Sequence, residues 1–217
     1  MSTTPAIEVL YFGIHGRAEQ IRLVLTYAQT PFVDTAVDFS DWPALKKTLP
    51  LGQLPVLRDR RSGTELVIPQ SNAILRHLGR SLNLYGSDEQ QHTLCDILAE
   101  TIADWRNKFV PAVYGAYQPT PETTAKYWDQ TVPSVLPVLE GLLANSTAPA
   151  AGLFVASQPT WADLAAFELI DAQLNFKPQL LAHFPGLAKF HATVAAIPQI
   201  ATYRASRRPS EFAGRAA

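Results

Sequence analysis

Strand-like runs in this chain end at residue 68, less than a third of the way along its 217 residues. Before that point short segments rich in β-branched residues alternate with helical stripes; beyond residue 88 apolar residues recur only at helical spacing. Such a change of period confines the chain to a mixed α/β portion followed by an all-helical one. The length suits two domains of about 100 residues each.

Within the first portion, Ile7 to Phe12 is an apolar run with β-branched members, closed by Gly13, and predicts a strand. Ile21, Val24, Leu25 and Ala28 fall at helical spacing over residues 17–28, and Pro31 ends that helix. Phe32 to Val37 predicts a second strand. Val56-Leu57-Arg58 and Leu66-Val67-Ile68 flank a polar turn with Gly63, which predicts a hairpin. Ile74, Leu78 and Leu82 mark a helix over residues 71–82. A helix-linked strand pair followed by a hairpin predicts a mixed four-stranded sheet with covering helices.

Residues 84–88, Leu-Tyr-Gly-Ser-Asp, are turn-rich and read as a linker, which divides the chain into domains 1–83 and 89–217. In the second, Leu94, Leu98, Trp105 and Phe109 form one helical stripe, and a further helical stretch covers residues 121–144. Thr160-Trp161-Ala162-Asp163 has the spacing of a capping box and starts a buried helix. Shorter helices are predicted over residues 178–183 and 186–196. The tail, with Arg204, Arg207, Arg208 and Arg215 against Glu211, reads as solvated or frayed.

Composition excludes several classes of function. Eighteen basic and 19 acidic residues give a net charge of −1, so no bulk field draws the chain to nucleic acid or an anionic membrane. No run approaches the roughly 18 apolar residues of a membrane span, and the N-terminus lacks a signal-peptide pattern. The lone cysteine, Cys95, rules out an intramolecular disulfide and a cysteine-rich zinc site, and the five histidines show no metal-ligand pairing; no metal is expected. Cys95 sits near an apolar helical stripe and reads as an inert buried thiol. The expected setting is a reducing, cytoplasmic one. The 17 prolines are unusual in so helical a chain.

Several residue groups could carry chemistry. Pro55 enters a strand after Gln53-Leu54; taken alone this is an ordinary trans turn, whereas a cis bond would turn the Leu54 backbone outward to pair with an extended ligand. Gln70-Ser71-Asn72 precedes an apolar helix, where Ser or Asn normally caps, and where free N–H groups also suit an anion. Trp42 and Lys46, four apart, would share a helical face as a carboxylate site or simply pack at the surface. Tyr11 ends the first strand and by itself is a packing residue. No GxGxxG, GxxxxGK[ST] or GxSxG pattern occurs.

Taken together, these residues resemble a cytosolic glutathione transferase, and are similar to the Pi class, along essentially the whole chain. The segments that carry the resemblance are Tyr11-Phe12-Gly13-Ile14-His15-Gly16-Arg17, Gly52-Gln53-Leu54-Pro55, residues 70–80 and Leu84-Tyr85-Gly86. In the second half they are residues 104–108, Pro133 and Pro137, and residues 160–163. A Sigma-like or related tyrosine-type class is also compatible. The resemblance implies a thioredoxin-like N-terminal domain, an all-helical C-terminal domain and a homodimer. It implies glutathione as co-substrate with no permanently bound cofactor.

The resemblance also implies roles. Tyr11 would donate a hydrogen bond to the glutathione sulfur. Holding a thiol mostly as thiolate at neutral pH requires lowering its pKa by ~2 units, or ~2.7 kcal/mol, and one charge-assisted hydrogen bond is worth roughly 1.5–3 kcal/mol. Trp42 and Lys46 would hold the glycine carboxylate, Gln53, Leu54 and cis-Pro55 the cysteinyl part, and Gln70 and Ser71 the γ-glutamyl carboxylate. Asp104 would reach the γ-glutamyl ammonium of the other subunit's ligand, and Arg17 would support that end of the peptide. Phe12, Ile14, Val110 and Tyr114 would line the hydrophobic co-substrate pocket. Leu51 stands where the family carries an aromatic dimer key, and His15 where it carries an arginine. The expected activity is conjugation of glutathione to small hydrophobic electrophiles. The alternatives are a glutathione-dependent isomerase or peroxidase, or a non-catalytic binding protein, on the same fold.

Overall fold

The computed structural model describes residues 5–114 and 117–209. They form two compact units, one of the described residues up to Leu84 with those from Ala196 on, the other Tyr85–Ala195.

The first unit is built on four strands among the described residues: β1 (Ile7–Phe12), β2 (Val33–Val37), β3 (Val56–Asp59) and β4 (Leu66–Pro69). Their order is β2-β1-β3-β4. β1 runs parallel to β2, with Tyr11 opposite Ala36, and antiparallel to β3, with Leu10 opposite Val56; β3 pairs antiparallel with β4. The parallel pair needs a crossover, supplied by α1 (Glu19–Tyr27) after a 3-10 turn at Gly16–Ala18. Val9, Leu10 and Tyr11 are consecutive and all buried, as in a strand covered on both faces. A short α2 (Trp42–Leu45) precedes a second 3-10 turn at Lys46–Thr48, and α3 (Ser71–Ser81) packs on α1, β3 and β4. Helix α9 (Pro198–Ser206) packs on α1.

That last contact corrects the reading of the tail. Residues 198–206 are helical, with Ile200 buried, and Arg207 and Arg208 pair with Glu19 and Asp34 rather than with solvent. The residues from 196 on pack with the first unit, whereas the sequence division assigned 89–217 to one helical domain. The acidic partners lie more than 170 positions away, so no local pattern reveals them. Glu211 and Arg215 lie outside the described residues.

The second unit is helical throughout its described residues. Helix α4 (Glu89–Val113) is capped by Asp88, whose carboxylate accepts from the Gln91 N–H at 2.8 Å. It packs against α7 (Trp161–Leu174), which is buried along nearly its whole length. The capping box at the start of α7 forms: the Asp163 N–H donates to the Thr160 hydroxyl, and the Thr160 N–H to Asp163. The Phe154 N–H donates to the same carboxylate at 2.8 Å. The helical stretch expected over 121–144 is interrupted: α5 (Pro121–Lys126) passes through a π-turn at Tyr127–Thr131 into α6 (Val132–Ala144). The π-turn ends two residues before Pro133, which has no N–H to offer the helical ladder. Residues 178–183 make successive turns instead of a helix; six residues between Pro178 and Pro185 are too few to repay helix nucleation. The last element is α8 (Pro185–Ala195). No helix among the described residues is long and apolar enough to cross a membrane.

Candidate active site

Tyr11 stands one residue from the end of β1, buried to 8% exposure, between the parallel partner β2 and the antiparallel partner β3. The chain then turns back over it. Gly16, at φ +42°, brings its backbone so close that a Cβ there would lie 2.6 Å from Tyr11 Oη. The next residue, Arg17, donates its backbone N–H to the same oxygen at 3.1 Å. The phenol oxygen is thereby an acceptor from the main chain, which strengthens its own O–H as a donor to a third group. Arg17, half-buried in the 3-10 turn, comes to the site through this N–H.

Aromatic rings surround the strand end. The Phe12 ring stacks on Phe39 at 4.6 Å, meets Trp42 edge-on at 5.4 Å and lies 5.7 Å from Tyr11. Phe39 is 68% exposed, a large price for an apolar ring in water unless something apolar covers it. With Ile14, it borders a surface cleft that also includes Gly13, Ala36, Val37 and Asp38.

Trp42 opens α2 and is half-buried against a small core of Leu10, Leu49 and Val56. Lys46 begins the turn that follows, exposed, and its methylene stem packs against Gly52, where a Cβ would approach Lys46 Cγ to 3.3 Å. The lysine stem thus runs along the Gly52 backbone, next in sequence to Gln53. The Leu54–Pro55 bond is cis, with Pro55 buried and the Leu54 side chain packed on that same core.

Gln53 and Gln70 are brought together across 17 residues: Gln70 Nε2 donates to Gln53 Oε1 at 2.9 Å. Gln70 takes a left-handed φ of 72° as the residue before α3, and no side chain caps that helix. Ser71, expected as a cap, is instead the first helical residue and is buried. The start of an 11-residue helix suits a carboxylate.

Three of the expected residues belong to the second unit, on or just after α4. Asp104 is exposed; Val110 and Tyr114 are half-buried one turn apart, the Tyr114 N–H donating to Val110 O at 3.0 Å. The Tyr114 ring meets Phe109 edge-on. Cys95, also on α4, is fully buried, donates toward Tyr85 O at 3.4 Å, and has its thiol pushed up to about 12 by burial. That places it far from nucleophile behaviour, as expected.

Gly16, Gly52 and Phe39 were not singled out from the sequence. Both glycines lie within the motif segments but were given no role, and only the approach of Tyr11 and Lys46, with a positive φ at each, shows why a side chain is disfavoured there. Phe39 follows β2 in a polar stretch and gave no periodic signal.

Comparison with known proteins identifies the family. The family model for the glutathione S-transferase N-terminal domain matches residues 7–80, and that for the C-terminal domain matches residues 103–207. The chain is 34% identical to glutathione S-transferase P of Caenorhabditis elegans over 91% of each chain, and 32% identical to that of Bos taurus over 93% of each. The Pi-class glutathione S-transferase structure from Onchocerca volvulus superposes with a TM-score of 0.84 at 33% identity, covering 93% of both chains. Matches across both halves and over nine-tenths of the chain show that this protein belongs to the glutathione S-transferase family.

Proposed function

We propose that this protein conjugates the thiolate of glutathione to small hydrophobic electrophiles. One observation carries the reading: Tyr11 Oη accepts the Arg17 N–H at 3.1 Å under the Gly16 turn, and a phenol whose oxygen accepts from the main chain can donate its own O–H to a sulfur. A sulfur placed there receives a hydrogen bond that favours its ionised form. The thiolate then displaces or adds at an electrophilic carbon, forming the carbon–sulfur bond; in a displacement the halide or equivalent group leaves with the electron pair. Holding both reactants in one site supplies the remaining acceleration.

Binding follows from the surrounding groups. Lys46 and the Trp42 indole take the glycine carboxylate, and the Leu54 backbone pairs with the cysteinyl residue as an added strand. The joined Gln53 and Gln70 amides, with Ser71 at the start of α3, receive the γ-glutamyl end. Phe12 and Ile14 offer apolar surface to the electrophile. We extend the proposal to a homodimer in which Asp104 reaches the γ-glutamyl ammonium of the partner's ligand. Leu51, 54% exposed, would serve as an aliphatic key at that interface. A reducing, cytoplasmic setting suits a buried cysteine outside any disulfide and a co-substrate that acts as a thiol.

Tyr11→Phe tests the reading with a chlorodinitrobenzene-type substrate. Turnover is expected to fall by roughly 10²-fold, the order found when one preorganised donor to a developing anion is removed, with glutathione binding retained by calorimetry. Wild-type turnover in Tyr11→Phe removes the hydroxyl from the mechanism. Absence of glutathione binding to the wild-type protein at millimolar levels removes the reading altogether.

A further inference from the structure

A buried charge network ties the C-terminal segment of the first unit to the loop that turns over Tyr11. Its centre is Arg22, 2% exposed, on α1. Its Nε donates to Asp34 Oδ1 at 3.0 Å and its Nη1 to Glu19 Oε2 at 3.1 Å. The same Nη1 donates to the carbonyls of Ile14 at 3.1 Å and His15 at 3.2 Å, which are backbone groups of the loop between β1 and α1. Asp34 and Glu19 outweigh the burial that opposes the charge and hold the guanidinium ionised.

The same two carboxylates are shared with the C-terminal strap. Tyr203 donates from Oη to Glu19 at 3.1 Å, and Arg207 Nη1 pairs with Glu19 Oε1 at 2.9 Å. Arg208 Nη2 pairs with Asp34 Oδ2 at 2.5 Å. The Arg208 carbonyl also lies 2.9 Å from His15 Nε2, and its guanidinium passes beside Gly13, 3.7 Å from where a Cβ would stand. The strap thus touches the loop near both ends. It does so directly, at His15 and beside Gly13, and indirectly through the chain Arg208–Asp34–Arg22–Ile14.

The loop that these groups hold carries the N–H that meets the Tyr11 hydroxyl. Between the carbonyls of Ile14 and His15, gripped by Arg22, and the Arg17 N–H on Tyr11 Oη, only Gly16 intervenes. Glycine has no side chain to limit its own rotation, so it cannot hold the turn unaided. Resting on the role proposed for Tyr11, we infer that Arg208 is a positioning residue, whose pairing with Asp34 and contact with His15 hold residues 14–17 so that the Arg17 N–H stays on the tyrosine hydroxyl. Without the strap, Asp34 and Glu19 each lose a cationic partner, and the His15 ring loses the Arg208 carbonyl. The turn at Gly16 is then released to sample other geometries, and Tyr11 donates less effectively to the sulfur.

The test is titration of glutathione bound to the full chain, followed by the ultraviolet absorbance of its thiolate. Arg208→Ala is expected to raise the apparent thiol pKa by about half a unit to one unit, up to tenfold in thiolate fraction near neutral pH. The glutathione dissociation constant should change less than twofold. Arg208→Lys, which keeps a charge for Asp34, should recover part of the shift. Ending the chain after Arg207 removes the acceptor of His15 as well and should shift the titration at least as far as Arg208→Ala, whereas ending it after Pro209 should leave it as in the full chain. A lower melting temperature with an unchanged thiol titration in both Arg208→Ala and the chain ending at Arg207 makes the strap purely structural and overturns the inference. That result leaves the reaction itself intact, because its failure is read separately, as wild-type turnover in Tyr11→Phe.

Discussion

Gly16→Ala is the substitution that most directly asks whether the turn over Tyr11 governs the chemistry. A Cβ at this position would stand 2.6 Å from Tyr11 Oη, 2.7 Å from Cε1 and 3.0 Å from Cζ. Unstrained contacts between such atoms lie near 3.5 Å or beyond, so the ring and the turn must separate by roughly 1 Å. Neither is at liberty to do so cheaply. The ring is buried and packed beside Phe12, and the turn is held by Arg22. The left-handed φ of +42° adds a further cost of about 1 kcal/mol for any residue with a Cβ. With the overpacking, the expected loss of stability is about 2–4 kcal/mol. Displacements of ~1 Å at a reacting group cost on the order of 10²-fold in rate. The assay is kcat and KM for an aryl halide and for glutathione on the folded fraction, with stability from urea unfolding. We expect kcat to fall by roughly that factor while glutathione affinity changes much less, since Lys46, Gln53 and Gln70 are untouched. A Gly16→Ala protein that turns over within about twofold of wild type would falsify the claim that this turn positions the hydroxyl, because no other reading of a 2.6 Å approach leaves the ring in place.

Two further outcomes follow from groups away from the chemistry. Asp59 receives Arg61 on both oxygens, at 3.0 and 2.6 Å, and His77 at 2.8 Å, and the Arg61 guanidinium foremost holds its carboxyl far below the usual range. Because the folded carboxyl ionises below its unfolded value, its stabilisation is complete above the ordinary carboxylate pKa and is lost as the pH falls through the folded one. Asp59→Asn should therefore cost about 1.5–3 kcal/mol in denaturant unfolding at pH 7, and the gap to wild type should narrow in strong acid; a gap independent of pH rules out the ion pair as its source. Cys95, with its thiol pushed up to about 12 inside α4, should resist alkylation in the native protein at neutral pH and react only on unfolding, as mass spectrometry of iodoacetamide adducts would show; stoichiometric labelling of the folded chain contradicts that burial.

Much of the architecture was legible because it is written at short range. The run Ile7–Phe12 and the hairpin around Gly63 carry their own strand and turn signals, and Thr160 with Asp163 announces the start of α7 three residues ahead. The site residues in the first unit were legible only through the ordered motifs of a known family. Taken alone, Tyr11 was a packing residue and Ser71 a cap, and Ser71 in fact lies inside the helix, after Gln70. The π-turn at Tyr127–Thr131 and the turns at 178–183 escaped the pattern, because proline and short length act against helix without erasing apolar spacing.

What the sequence by itself determined is the division into a sheet-bearing first portion and a helical remainder, since strand and helix periods differ and cannot be exchanged by packing. It also determined the family, through motifs long enough to be specific. Tertiary structure alone decided how Tyr11 is held: that Gly16 must be bare because Tyr11 lies beneath it, and that Gln53 meets Gln70. It also decided that a tail read as solvated is bound through Arg207 and Arg208 to carboxylates more than 170 residues away. Such pairings depend on distance in space, and a buried carboxylate accepts whichever cation the fold delivers, so no local pattern in the chain can record them.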